Sequence, residues 1–221
     1  MKRAFTVMAA GVLMAATLGA APASASGGAN LVAPPNAVRH GMTYPEWEAA
    51  YQIWIEEIPL AQNPQADPAS PRNCELQPGN TVFVGASGAD CAVPSGAAIG
   101  LSTYYWECST AEGLGNTYRA LRKCAEENFV HDFGPQVSHA TLRIDGAKVN
   151  HPLRWTFTTP GEIIHFPTNN LWGATPGPSK SVTRGLMFII RSLADGVHHI
   201  RLHVNHDVFG KFNIDYTLHV G

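Results

Sequence analysis

The sequence predicts a mainly β protein: an antiparallel β-sandwich or jelly-roll-like single domain, with an N-terminal amphipathic helix and a second short helix tied down by a disulfide. Three observations point there. Gly 21 and Pro 16 punctuate the chain, which favours many short elements over a helical bundle. Between the punctuation lie short runs rich in Val, Ile, Thr and aromatic residues, the composition of strands. The cysteines number four, an even set behind an export-type leader, which is the usual setting of structural disulfides.

At the start of the chain, Lys2 and Arg3 precede the apolar run AFTVMAAGVLMAATLGAA, which leads to Ala23-Ser24-Ala25. This is the layout of a secretory signal peptide, so residues 1–25 are expected to be removed and the protein to be secreted. No later segment is apolar for long enough to span a bilayer, so no transmembrane segment is expected after cleavage. Residues 26–41, SGGANLVAPPNAVRHG, lack periodicity and read as a flexible leader. Residues 42–221 read as one β-rich domain. Charged residues are 14% of the chain and the formal net charge is −2. That balance excludes nucleic acid and anionic membranes as expected partners, and partners chosen mainly by electrostatics are not expected.

The first ordered element is a helix. Thr43 with Glu46 three residues on forms a capping box. Trp47, Tyr51, Trp54 and Ile58 then recur at helical spacing until Pro59 stops the run. An aromatic stripe of this kind is a packing face. After the proline-broken AQNPQADPASPRN, strands are expected in TVFVGA, AAIGLSTYYWE, SHATLRIDGAKVN, LRWTFTTP, GEIIHFP, GLMFIIRSL, VHHIRLHVN and KFNIDYTLHV. Asp145-Gly146 marks a tight hairpin, because both residues tolerate positive φ. A second helix is expected over NTYRALRKCAEEN, with Asn116 near its cap and Cys124 on it.

The stretch GVHHIRLHVNHD, residues 196–207, holds four histidines in a chain that has 10. Ile200, Leu202 and Val204 alternate with His199, Arg201, His203 and Asn205, the period of a half-buried strand, which puts the imidazoles on the polar face. The last strand turns Phe212, Ile214, Tyr216, Leu218 and Val220 inward and Asn213, Asp215, Thr217 and His219 outward, so the two segments make a C-terminal hairpin. Along one strand His199 and His203 stand roughly 13 Å apart at ~3.3 Å per residue, too far to share an ion. Across strands two registers compete. Val204 opposite Ile214 would set His203 beside Asp215 and His199 beside His219, a candidate Zn or Cu site. Val204 opposite Phe212 would set Arg201 beside Asp215 as an exposed ion pair. The second is preferred, because opposite charges are favourable cross-strand neighbours.

Other motifs are sparse. GASGA around Ser87 lacks the second glycine of a nucleophile elbow, and the chain has no H-E-x-x-H, P-loop or dinucleotide fingerprint. Glu46, Asp90, Glu107 and Asp132 are carboxylates available for a glycosidase-type pair, with no separation fixed by the sequence. Cys74, Cys91, Cys108 and Cys124 allow three pairings and lack the close spacing of zinc ligands. Sequential pairing would close two short loops, each worth ~3 kcal/mol in the chain-entropy model.

Several pieces recur together in order: YPEWEAAYQIWIEEIP followed by QNP, Asn73-Cys74, CAVPSG at 91–96, ECS at 107–109, LRKCAE at 121–126, IDGAKV at 144–149, and SLADGVHHIRL running into FNIDYTLHV. On these the sequence resembles a family of exported bacterial proteins of unassigned function. The resemblance implies an exported β-sandwich with an N-terminal aromatic helix and two local disulfides, and it implies no activity. After CAVPSG the chain departs from the family pattern, with AAIGLSTYYWE in place of an aromatic strand ending in proline and asparagine. The expected pairing is Cys74 with Cys91 and Cys108 with Cys124, since both links are local and tie a helix or loop to the first strands. The expected role is non-catalytic binding of a glycan or other extracellular polymer. Tyr104, Trp106 and Trp172 fall outside the core pattern and are the candidate contacts, because ring faces stack on sugars. The alternative is a metal-assisted extracellular enzyme with His199, His203, Asp215 and His219 as ligands.

Overall fold

The computed structural model describes residues 31–133, 137–207 and 210–221, and the signal-peptide reading of residues 1–25 lies outside them. Among the described residues two α-helices and eleven strands follow one another as α1 (Tyr44–Glu56), β1 (Cys74–Gln77), β2 (Thr81–Val84), β3 (Ala89–Val93), β4 (Ala98–Ser109), α2 (Tyr118–Asp132), β5 (Val137–Ile144), β6 (Ala147–Val149), β7 (Thr156–Thr158), β8 (Glu162–Phe166), β9 (Gly177–Ile190), β10 (Gly196–His206) and β11 (Gly210–Val220). They build two sheets packed against each other, as the sequence predicts. The larger is six-stranded, in the order β1-β2-β4-β9-β7 with β8 also on β9; the smaller is five-stranded, in the order β3-β11-β10-β5-β6. Among the described residues no helix is long and apolar enough to cross a membrane.

Most neighbours are antiparallel, but β2–β4 and β3–β11 run parallel, so both sheets are mixed. The cause is the excursion of β3: the chain leaves the larger sheet after β2, adds β3 to the smaller one, and returns to lay β4 beside β2. The Cys74–Cys91 disulfide spans this excursion, joining β1 to β3 and therefore one sheet to the other. The second disulfide, Cys108–Cys124, ties α2 to β4. Helix α2 is capped by Thr117, next to Asn116 as expected; the Thr117 hydroxyl accepts from the Ala120 N–H at 3.2 Å.

Apolar residues of both sheets share one core, in which Ile99, Leu101 and Phe188 join Ile144, Ile200, Leu202 and Val204. Onto it α1 lays its aromatic stripe. The rings of Trp47, Tyr51 and Trp54 meet Phe83 with centroids 6.0, 5.4 and 5.6 Å away. Gly100 permits this, because a Cβ there would stand 2.7 Å from the Phe83 ring.

One boundary differs from the sequence reading. Val32 bridges to Ile190, and the Ala33 N–H donates to the Ile189 carbonyl at 2.9 Å. The Ala33 carbonyl accepts from Tyr44 Oη at 2.7 Å and from Trp155 Nε1 at 2.8 Å. Residues 31–33, read as flexible leader, thus belong to the ordered domain; three apolar residues are too few to show a strand period.

Candidate functional site

The outer face of the smaller sheet holds the histidine-rich hairpin. Its register is Val204 opposite Phe212 and Arg201 opposite Asp215, and Arg201 Nε donates to the Asp215 carboxylate. His203 Nδ1 meets Asn213 Oδ1 at 2.8 Å and its Nε2 meets Asn205 Oδ1 at 2.9 Å. His199 lies opposite Thr217. His219 Nε2 reaches across to Asp90 Oδ1 on β3 at 2.6 Å. The four candidate ligands, His199, His203, Asp215 and His219, therefore have separate partners, and among the described residues no group of three or more His, Cys, Asp or Glu is placed to hold a metal. Two imidazoles of the stretch are not on the polar face. His198 is 8% and His206 3% exposed; His198 bridges Asp145 Oδ2 and the Ala194 carbonyl, each at 2.7 Å. They occupy inward positions near the two ends of β10, where His198 meets Asp145 of the β5–β6 turn and His206 Nε2 meets the Asp132 carbonyl at the end of α2.

The same register aligns cations. Arg201 on β10 stands opposite Arg143 on β5, and Arg143 opposite Lys148 on β6. Adjacent strands lie ~4.8 Å apart, so three positive side chains form one row across three strands. Like charges directly opposite each other are destabilising when nothing stands between them. Asp215 ends the row at Arg201, while Arg143 Nη1 donates only to the Gly146 carbonyl, at 2.7 Å, among its described contacts. A shallow depression over Arg143 and Arg201 is lined by Thr141, Arg143, Arg201, His203 and Asn213. A second adjoins it along β5 and includes His139, Lys148 and Arg154. Neither is lined by a carboxylate.

Of the three candidate aromatics, Tyr104 and Trp106 sit two residues apart on β4, both against α2, and Trp172 packs in a separate cluster. Tyr104 packs on Phe129 and Phe133, with centroids 6.1 and 4.4 Å away. Trp106 leans on the cluster of Cys108, Leu121, Ala125 and Val182 beneath α2. Trp172 packs with Ile53 on Ile164, Phe166 and Ala174.

A second site is not foreshadowed by the sequence reading except at Glu107. Glu48, Gln52 and Glu56 lie one turn apart on α1 and are 0%, 0% and 1% exposed. They face a polar patch of the larger sheet formed by Ser102, Tyr105 and Glu107 of β4, Glu162 of β8, and Ser181 and Thr183 of β9. Ser102 Oγ donates to Glu48 Oε1 at 2.7 Å and Gln52 Nε2 donates to the same oxygen at 3.0 Å. Ser181 Oγ donates to Glu107 Oε1 at 2.5 Å, and Ser109 Oγ to Glu112 Oε2 at 3.1 Å. Both carboxyl oxygens of Glu56, both of Glu162, Glu48 Oε2 and Gln52 Oε1 have no hydrogen-bond partner among the described residues.

Burial dominates the electrostatics of this layer. It lifts Glu48 to about 7 against the opposing hydrogen bonds of Ser102 and Gln52. It lifts Glu162 to about 8, where the Thr159 and Thr183 hydroxyls stand near enough to favour the charged form and the charge of Glu48 opposes it. Glu56 is pushed well above the carboxylate range by burial and then by the charges of Glu112 and Glu162. Glu107 follows by burial and by its closeness to Glu112. The one sequence signal was a 13-residue helix, YPEWEAAYQIWIE, with glutamates and no lysine or arginine to pair with them. Of the carboxylates singled out from the sequence, Glu107 alone joins this layer. Glu46 accepts from the Thr43 N–H at 2.7 Å, Asp90 meets His219 at 2.6 Å, and Asp132 meets His131 at 2.6 Å.

No family model and no curated protein matches the chain. Among solved structures, the solution structure of amebosin is similar over 64% of this chain and 96% of its own, at 9% identity and a TM-score of 0.18. A likeness that slight carries no argument about function.

Proposed function

We propose that this is a secreted, non-catalytic binding protein that takes a polyanionic extracellular polymer, a sulfated or uronic-acid glycan, on the outer face of its smaller sheet. The observation that carries the reading is the row Lys148, Arg143 and Arg201, set in register on three neighbouring strands. A row of like charges is a poor arrangement for the isolated sheet and a good one for a ligand with repeating anions, because each sulfate or carboxylate satisfies the cations on both sides of it. Thr141, His203 and Asn213 border the same depression and supply polar hydrogen-bonding groups for sugar hydroxyls. The formal charge of −2 does not oppose such a ligand as it first suggests. It is a sum over the whole chain and does not register that Lys148, Arg143 and Arg201 gather on one face while Glu48, Glu56 and Glu162 are buried away from it.

Calorimetric titration of the mature protein with dextran sulfate, polygalacturonate and unmodified dextran tests this. Saturable binding is expected for one of the two anionic polymers and not for dextran. It should weaken about 10-fold or more in the Arg143→Ala/Arg201→Ala double variant, the loss expected when charge-assisted hydrogen bonds are removed, and weaken again as salt screens the row. Equal binding of unmodified dextran, or undiminished binding by the double variant, would count against the reading.

A further inference from the structure

An ionised carboxylate taken out of water needs a counter-charge or several donors. The layer beneath α1 offers no counter-charge and few donors. From α1 come Glu48 and Glu56, from β4 Tyr105 and Glu107, from the turn after β4 Glu112, and from β8 Glu162. From β9 come only the hydroxyls of Ser181 and Thr183. Among the described residues none of these glutamates takes part in an ion pair. Most donors present are already directed: Ser102 and Gln52 to Glu48, Ser181 to Glu107, and Tyr105 to Gln65 at 3.0 Å, which leaves the Thr159 and Thr183 hydroxyls beside Glu162. Buried acceptors remain over, on Glu56, on Glu162 and at Gln52 Oε1. A carboxylic acid contributes one O–H donor to such a layer, whereas a carboxylate contributes only more acceptors.

We propose that the contact between α1 and the larger sheet is locked by protons: it is complete while Glu48, Glu56, Glu107 and Glu162 are carboxylic acids, and it weakens as they ionise. The protein is then firmest in mildly acidic surroundings and less stable at alkaline pH, independently of whether it binds a polymer. The sign follows from linkage. These groups hold protons more tightly in the folded chain than in the unfolded one, so folding takes up protons. Their favourable contribution is fully present below the unfolded value of 4.5 and is lost as pH rises through the folded values, about 7 for Glu48 and about 8 for Glu162. Within that window each such group lowers the folding equilibrium constant about 10-fold per pH unit.

Thermal unfolding of the purified chain, followed by fluorescence from pH 5 to pH 9, tests the lock. The parent's melting temperature is expected to fall steadily up to about pH 8. In Glu56→Gln and Glu162→Gln, where the neutral form is permanent, that fall should be shallower. A melting temperature that stays level or rises with pH in the parent overturns the proposal, and so does a fall that both variants reproduce unchanged. If a glutamine variant does not fold, the parent's own profile still decides, because its direction reports whether folding takes up or releases protons.

Discussion

Gly185 shows how single residues make room for the buried layer. A Cβ at this position would stand 2.5 Å from Tyr105 Cβ and 3.1 Å from Glu48 Oε1. Neither neighbour is a free side-chain end, since Tyr105 is fixed by its own Cβ and Glu48 by two hydrogen bonds. Gly185→Ala is therefore expected to lower stability by ~1–3 kcal/mol, the usual range for overpacking, in urea unfolding. Trp54 illustrates the opposite case: it is 8% exposed, and its Nε1 donates to Glu75 Oε2 at 3.1 Å. Trp54→Ala should lower stability by ~3–5 kcal/mol, and a variant that melts like the parent would show that the stripe is not core. The aromatic stripe was legible because Trp47, Tyr51, Trp54 and Ile58 repeat at helical spacing. Glu48, Gln52 and Glu56 repeat just as regularly beside it, yet polar residues on the flank of an amphipathic helix face water unless something covers them. The cover comes from β8 and β9, which follow far later in the chain.

At the scale of elements, the C-terminal hairpin was readable down to its register, because only one alignment pairs Arg201 with Asp215. That pair is exposed, so a double-mutant cycle on Arg201 and Asp215 should return at most ~1 kcal/mol; a much larger coupling would mean that the row of cations depends on it. The strands β1 and β3 were not foreseen. Each is four or five residues long, too short for alternation to show, and β3 pairs in parallel with β11 at the other end of the chain. The disulfide between them was foreseen, but not its role of joining the two sheets. Replacing Cys74 and Cys91 together by serine opens a link with a sequence separation of 17, and should lower stability by ~3 kcal/mol if chain entropy governs. Denaturant midpoints of the double variant at neutral pH, against the parent, measure that loss.

At the scale of the molecule, folding separates the charges that the sequence mixes. Acidic groups gather under α1, where burial favours their neutral form, while Lys148, Arg143 and Arg201 line up on the outer face of the other sheet. Composition reports only the sum, which is why a near-neutral chain gave no sign of a cationic face. The alternation of β10 made that face legible as polar, but its row needed the pairing of β10 with β5 and of β5 with β6, and no local pattern fixes the first of those registers. Whether this face takes a polyanionic polymer is decided by backbone amide shift mapping of the labelled protein titrated with a short sulfated or uronic oligosaccharide. Perturbations are expected on β5, β6, β10 and around Asn213 of β11, strongest around residues 141–148 and 199–203. Shifts centred instead on α2, on Trp172, or on no contiguous surface at a saturating concentration would contradict this reading.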